Sequence, residues 1–243
     1  QRCAEPADPV NPQAVVGSLS AHLPADAQVA VDVGSVVYWY ARFLRLPAGV
    51  PAHLSSTLAC MGSAMPYGLA AKLARPDRPV VALAGDGAMQ MSGNAELITL
   101  AHRWRDWADP RFVVLVLANR DLAEVSWEQR EMEGDPRFPA SQRVPDFSWA
   151  DYARLLGLGA IRIDRAEDID QAWATALAAD RPTVIEAIVD PATPLLPPRS
   201  PEQKVEKMQS GLAREGNDAA AHQLRRQREQ EDEHADGADG PAS

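Results

Sequence analysis

Apolar positions along the chain switch repeatedly between two spacings. Behind Asn11-Pro12, an N-cap followed by a first-turn proline, Val15, Val16, Leu19 and Leu23 fall at helical spacing and predict the buried side of a helix. Val29 to Val33 is instead a short, mostly apolar run halted at Gly34, which predicts a strand. The pattern then repeats: a helix from Met65 to Leu73 closed by Arg75-Pro76-Asp77, and a strand from Val80 to Ala84 ended by Gly85-Asp86-Gly87. Leu97, Ile98, Leu100, Ala101 and Trp104 predict the next helix, and Phe112 to Leu117 the next strand. After them come a helix capped by Asp146 and ended by Gly157, a strand from Ala160 to Ile163, a helix from Asp168 to Ala178 and a strand from Thr183 to Val189. Strands alternating with helices imply an α/β fold, a parallel sheet with helices on both faces.

Residues 1–10 read as a linker, residues 11–198 as one domain, and residues 199–243 as a charged, partly helical or disordered tail. The tail admits a helix over Pro201 to Ala213, but its end offers too little apolar surface to offset the entropy of ordering it. Overall, 46% of the 243 residues are hydrophobic and 24% are charged, as in globular proteins. The net charge of −10 argues against a nucleic-acid or anionic-membrane partner, though it leaves room for a local anion pocket. Cys3 and Cys60 lack CxxC spacing, and the longest apolar run, Phe112 to Ala118, is too short to span a bilayer; a reducing cytoplasm is the expected setting. The start at Gln1 rather than Met reads as the interior of a larger polypeptide.

The strongest candidate chemistry sits where the strand Val80 to Ala84 ends. Gly85-Asp86-Gly87 places one carboxylate at the sheet's carboxyl edge, between residues that let a ligand approach the backbone, and the amides of Gly87 and Ala88 are candidates to hold an anion. By itself this tripeptide also fits an ordinary turn. A dinucleotide fingerprint fails because Gln90 stands where the third glycine belongs, and no Walker A string occurs. Thirty-three positions after Asp86 the next strand ends in Asn119, followed by Arg120-Asp121-Leu122. Two neighbouring parallel strands would thus each offer an oxygen ligand at one edge, which outlines a Mg²⁺ site completed by phosphate oxygens and water.

Taken together, the GDG turn and the asparagine closing the next strand resemble the thiamine diphosphate motif. So do DVGSVVYWYARFLRL, MGSAMPYGLAAKLARPDRPVVALAGDG and NRDLAEVSWEQ around them. From about Asn11 to Pro198 the chain resembles the C-terminal, diphosphate-binding domain of the pyruvate oxidase and acetolactate synthase family. The resemblance implies that Asp86 and Asn119 bind Mg²⁺ through side chains and Asp121 through its carbonyl oxygen. It also implies that Ser35, after the Gly34 turn, and the Gly87-Ala88 amides hold the diphosphate, that Gly34, Gly62, Gly85 and Leu122 are among the cofactor-binding residues, and that Met61 wedges the thiazolium against the aminopyrimidine. Without its surrounding motif Met61 would read as core. Glu128 matches a substrate-facing glutamate of oxidase-type relatives that helps move protons; a plain surface carboxylate is the competing reading. Two departures stand out: Ala118 replaces the first of two asparagines usual in the family, and residues 105–110 look like a loop insertion. Neither removes a ligand.

The resemblance implies an enzyme that decarboxylates pyruvate or a similar 2-oxo acid, with oxidation or carboligation of the product. In relatives the aminopyrimidine is activated by a glutamate of a separate pyrimidine-binding domain, so this chain alone is expected to be inactive. The expected partners are a pyrimidine-binding domain or subunit, within a homo-oligomer of the full enzyme. FAD would enter only through a domain outside this chain. The alternative is a cofactor-binding or assembly module without turnover. His22, His53, His102, His222 and His234 show no metal-binding or triad spacing.

Overall fold

The computed structural model describes residues 9–197 and 199–238, with only the backbone of residues 231–238. Cys3, most of the 1–10 linker and the boundary residue Pro198 lie outside the described residues. Val10, the last residue of that linker reading, is fully buried, and its carbonyl accepts from the Asp190 amide.

The chain divides into two compact units. The first, residues 1–120 and 144–190, is the expected α/β layer structure. Six parallel strands, β1 (Gln28–Val31), β2 (Ala52–His53), β3 (Val80–Gly85), β4 (Phe112–Ala118), β5 (Gly159–Ile163) and β6 (Thr183–Ile188), pair in the order β2-β1-β3-β4-β6-β5. β4 is apolar at every position and wholly buried, as expected of a strand covered on both faces. Side chains alternate across the sheet: Val80, Ala82 and Ala84 with Phe112, Val114 and Val116 pack under α3 (Ala64–Ala74), α5 (Asn94–Arg103) and α8 (Trp149–Leu155). On the opposite side Trp173 of α9 (Ile169–Leu177) donates its ring N–H to the Val15 carbonyl of α1 (Pro12–His22). Asn11 caps α1 as expected, its side chain accepting from the Gln13 amide.

Three local expectations change. Ser148, not Asp146, caps α8, its hydroxyl accepting from the Asp151 amide, while Asp146 pairs with the Arg120 side chain. Gly85-Asp86-Gly87 is not an isolated turn: a single helical turn α4 (Asp86–Ala88), a π-helical stretch Met89–Gly93 and α5 follow without a break. Residues 35–43, given no element by the apolar pattern, form α2 (Ser35–Phe43).

The second unit comprises residues 121–143 and 191–243, and so joins the segment after β4 to the supposed tail. It contains α6 (Ala123–Glu133), α7 (Pro139–Gln142), α10 (Glu202–Glu215) and α11 (Asp218–Ala238), numbered with the helices of the first unit in chain order. The helix expected over Pro201 to Ala213 is α10, and helix continues well beyond it, because Val205, Met208, Leu212, Ala220 and Leu224 all find buried positions.

Candidate functional site

The sheet order reverses between β1 and β3, since β1 continues to β2 on one side and the chain passes to β3 on the other. Ligands of such sheets bind at that crevice, outside the carboxyl ends of the strands. An acid follows each of these two strands: Asp32 follows β1 and Asp86 follows β3.

Asp86 is buried, and both its oxygens are engaged. Oδ1 accepts from the Gly87 amide at 2.9 Å and Oδ2 from the Arg120 amide at 2.7 Å. The second bond ties the tip of β3 to the residue directly after Asn119, itself half-buried at the end of β4. Arg120 reaches this position with φ of 57°, a left-handed conformation that bulky residues seldom adopt. Such local strain is concentrated at functional sites. Asp86 also opens a helical run that contains a π-helical stretch, another feature frequent at such sites.

Asp32, which the sequence reading did not single out, organises the neighbouring loop. Its Oδ1 accepts from the Gly62 amide at 2.6 Å and the Val33 amide at 2.8 Å, and Oδ2 accepts from the Ala64 amide at 3.0 Å. Burial pushes its carboxyl above the ordinary 3.8, against the opposing pull of these amides. The loop it holds is the Met61-Gly62 segment, and Gly62 sits at φ of 90°. A Cβ on Gly62 would stand 1.9 Å from the Ser92 hydroxyl, which donates to the Gly62 carbonyl at 3.1 Å. Only glycine fits there. Asp32, Met61-Gly62, the π-helical stretch with Ser92, Asp86 and the end of β4 are thus joined by consecutive hydrogen bonds. The signal that could have revealed Asp32 was weak: one acid inside an apolar run, two residues before Gly34.

Gly34 caps α2 with φ of 133°, a conformation that favours glycine, and Ser35 is the first helical residue. Ala88 is buried and Met61 half-buried.

Asp121, Leu122 and Glu128 belong to the second unit. Asp121 is bridged to Arg143, the Leu122 amide donates to the Gln142 carbonyl at 2.8 Å, and the Arg137 guanidinium lies 3.6 Å from Asp121 Oδ1. Burial raises the Asp121 carboxyl. Glu128 is exposed on α6; one turn earlier, burial and then the charge of Glu128 raise the half-buried Glu124. No described helix is long and apolar enough to cross a membrane.

Residues 32–187 match the model of a family described as thiamine pyrophosphate enzyme, C-terminal TPP binding domain. The chain is 34% identical over 193 residues to the acetolactate synthase large subunit of Corynebacterium glutamicum, covering 76% of this chain and 29% of that one. It is also 34% identical over 183 residues to the same subunit of Parasynechococcus marenigrum, with 72% and 28% covered. With the acetolactate synthase isozyme 2 large subunit of Escherichia coli it shares 29% over 212 residues, with 85% and 37% covered. The chain therefore spans roughly a third of the length of the curated relatives it matches. Residues 32 and 187 bracket every strand of the sheet except β1 and the last residue of β6, and with them Asp32, Gly62, Asp86 and Asn119. The chain belongs to the thiamine pyrophosphate enzymes as their C-terminal TPP-binding domain, and within them it is similar to acetolactate synthase large subunits.

Proposed function

We propose that the chain binds thiamine diphosphate through Mg²⁺ at the tips of β3 and β4, and that it forms the diphosphate half of an enzyme acting on 2-oxo acids. The observation that carries this reading is the buried Asp86 carboxylate bonded to the Arg120 amide, which brings the two strand tips together beside Asn119. The donor chemistry fits. Among the described residues no three His, Cys, Asp or Glu side chains cluster as a metal site. An ion here would draw on one carboxylate, the Asn119 amide and, as the resemblance adds, the Asp121 carbonyl, with diphosphate and water for the rest, the mixture Mg²⁺ prefers.

When bound, thiamine diphosphate supplies the carbon nucleophile and the electron sink for loss of CO₂ from a 2-oxo acid. The chain's own residues bind and orient it. Ser35 and Ala88 would hold the diphosphate, with Gly34, Gly62, Gly85 and Leu122 among the cofactor-binding residues; Gly87 would join them by exchanging its present bond to Asp86 Oδ1. Asp32 holds the Met61-Gly62 loop so that Met61 presents its apolar side chain to the cofactor rings. Glu128 is the group proposed to move protons at the substrate. Activity calls for a pyrimidine-binding domain or subunit, in a homo-oligomer of the whole enzyme. Pyruvate oxidase-type chemistry, with FAD held by another domain, and acetolactate synthase-type carboligation are the two forms it would take. The exposed free thiol of Cys60 suits a reducing, cytoplasmic setting.

Calorimetry with thiamine diphosphate and Mg²⁺ tests the site. Asp86→Ala is expected to abolish the Mg²⁺-dependent binding, and unchanged affinity would overturn the assignment. Mixing the chain with its pyrimidine-domain partner tests the enzyme reading: turnover of a 2-oxo acid only in the mixture supports it. Binding without turnover under any acceptor would leave a non-catalytic module.

A further inference from the structure

We propose that α10 is a clamp that holds α6 in place, with Glu215 as the positioning residue acting through Arg130. The consequence for catalysis rests on the function proposed above, because α6 carries Glu128. α10 lies beyond residues 32–187, the part of the chain that the family model matches.

α6 has 11 residues, too few for a helix to be stable unsupported in water. Its support is α10. Val205, Met208 and Leu212 form a buried stripe along α10, and Gly211 lies on the same side. A Cβ at Gly211 would stand 2.8 Å from the Asp135 carbonyl oxygen and 3.0 Å from Arg130 Cγ, so glycine is what permits the close approach. At the end of α10 the Glu215 carboxylate takes both Arg130 Nε and a terminal nitrogen, at 2.8 and 2.9 Å, and also the Arg137 amide at 2.6 Å. The Arg130 side chain is 4% exposed and that of Glu215 11%. The guanidinium carbon lies 4.6 Å from the Trp127 ring centre, and Trp127 directly precedes Glu128. Lys204 pairs with Glu131 at 2.6 Å, and Lys207 donates to the Met132 carbonyl near the C-terminal end of α6, where cations are favoured.

Removing one partner of a buried pair leaves an uncompensated charge. Without Glu215, Arg130 must seek water, which turning or loosening the part of α6 that bears Trp127 and Glu128 would give it. A free α6 would spend part of its time with Glu128 misplaced, lowering the rate without weakening binding of substrate or cofactor.

The test is amide hydrogen exchange on the full chain. In Glu215→Gln and in Gly211→Ala, residues 123–133 are expected to exchange about 10-fold faster or more, with β3 and β4 unchanged. Unchanged exchange in α6, or an equal rise throughout the chain, overturns the clamp. If Glu215→Gln does not fold, Lys204→Ala loosens the same helix more mildly and is judged by the same criterion. In the assembled enzyme, Glu215→Gln is expected to lower kcat about 10-fold while KM for the 2-oxo acid and cofactor affinity stay within about two-fold. Glu215→Asp is expected to recover part of the rate; a loss confined to KM would overturn the catalytic consequence. Should the wild-type chain bind no thiamine diphosphate, the function proposed above fails, and the exchange result still decides the clamp.

Discussion

Lys72 of α3 has no exposed surface at all, an unusual place for an ammonium group. Its Nζ donates to the carbonyls of Arg78 at 2.5 Å and Arg111 at 3.3 Å and lies 5.5 Å from the Trp107 ring centre, joining α3 to the loops that lead into β3 and β4. Burial lowers its pKa from the ordinary 10.5 to about 8, the Asp109 carboxylate opposing and Arg111 reinforcing the shift. Below about pH 8 the group is charged in both states and folding bears the whole burial penalty. Between about 8 and 10.5 the unfolded chain binds a proton that the folded chain has released, so stability rises with pH. From pH 7 to pH 10 this rise amounts to about 2.5 kcal/mol at 1.36 kcal/mol per pH unit. Lys72→Met retains an unbranched chain of similar reach and abolishes the titration. It also deprives the Arg78 carbonyl of its Nζ partner, at about 1 kcal/mol; the Arg111 carbonyl still accepts from the Val80 amide. Urea unfolding followed by tryptophan fluorescence reads the difference. The wild type is expected to gain about 2.5 kcal/mol on the variant between pH 7 and pH 10. A difference constant with pH would refute the reasoning, and would mean that the two carbonyls and the Trp107 ring keep the ammonium protonated despite burial.

Gly62→Ala combines a left-handed backbone with a clash against Ser92 and is expected to lose more than about 2 kcal/mol. Gly49→Ala, at φ of 85° with nothing within 4 Å of the new methyl, is the matched control and is expected to lose only about 1 kcal/mol by thermal melting. Asp32→Asn keeps the shape but turns an N–H₂ toward amides that need an acceptor; a loss of about 1–3 kcal/mol and weaker cofactor binding by calorimetry are expected. At Glu215 burial alone would raise the carboxyl, but the bonds from Arg130 and the Arg137 amide outweigh it and hold it below the ordinary 4.5. Its stabilisation is therefore complete above about pH 4.5 and fades as the pH falls through the lowered value, and acid unfolding curves of Glu215→Gln are expected to lack that part of the decline.

What the amino-acid order determined by itself was whatever depends on near neighbours. The short apolar runs of β3 and β4, each ended by a turn signal, read as strands buried on both faces, and the Asn11-Pro12 pair reads as a helix start. Two strands each closed by a metal-competent side chain, Asp86 and Asn119, were visible for the same reason. Other features depended on partners remote in sequence. Asp146 and Ser148 are both good caps, and the choice between them followed from Asp146 pairing with Arg120 across the fold. Asp32 looked like one more residue of an apolar run until folding placed the Gly62 and Ala64 amides, some thirty residues away, around its carboxylate. The segment from residue 199 onward looked solvated because its apolar residues are sparse, yet Val205, Met208 and Leu212 suffice once α6 offers a face to receive them. The 85 positions between Arg130 and Glu215 hid the pair that fastens these helices. Local pattern encodes conformation, whereas desolvation and ion pairing are settled only when the chain has brought distant groups within bonding distance.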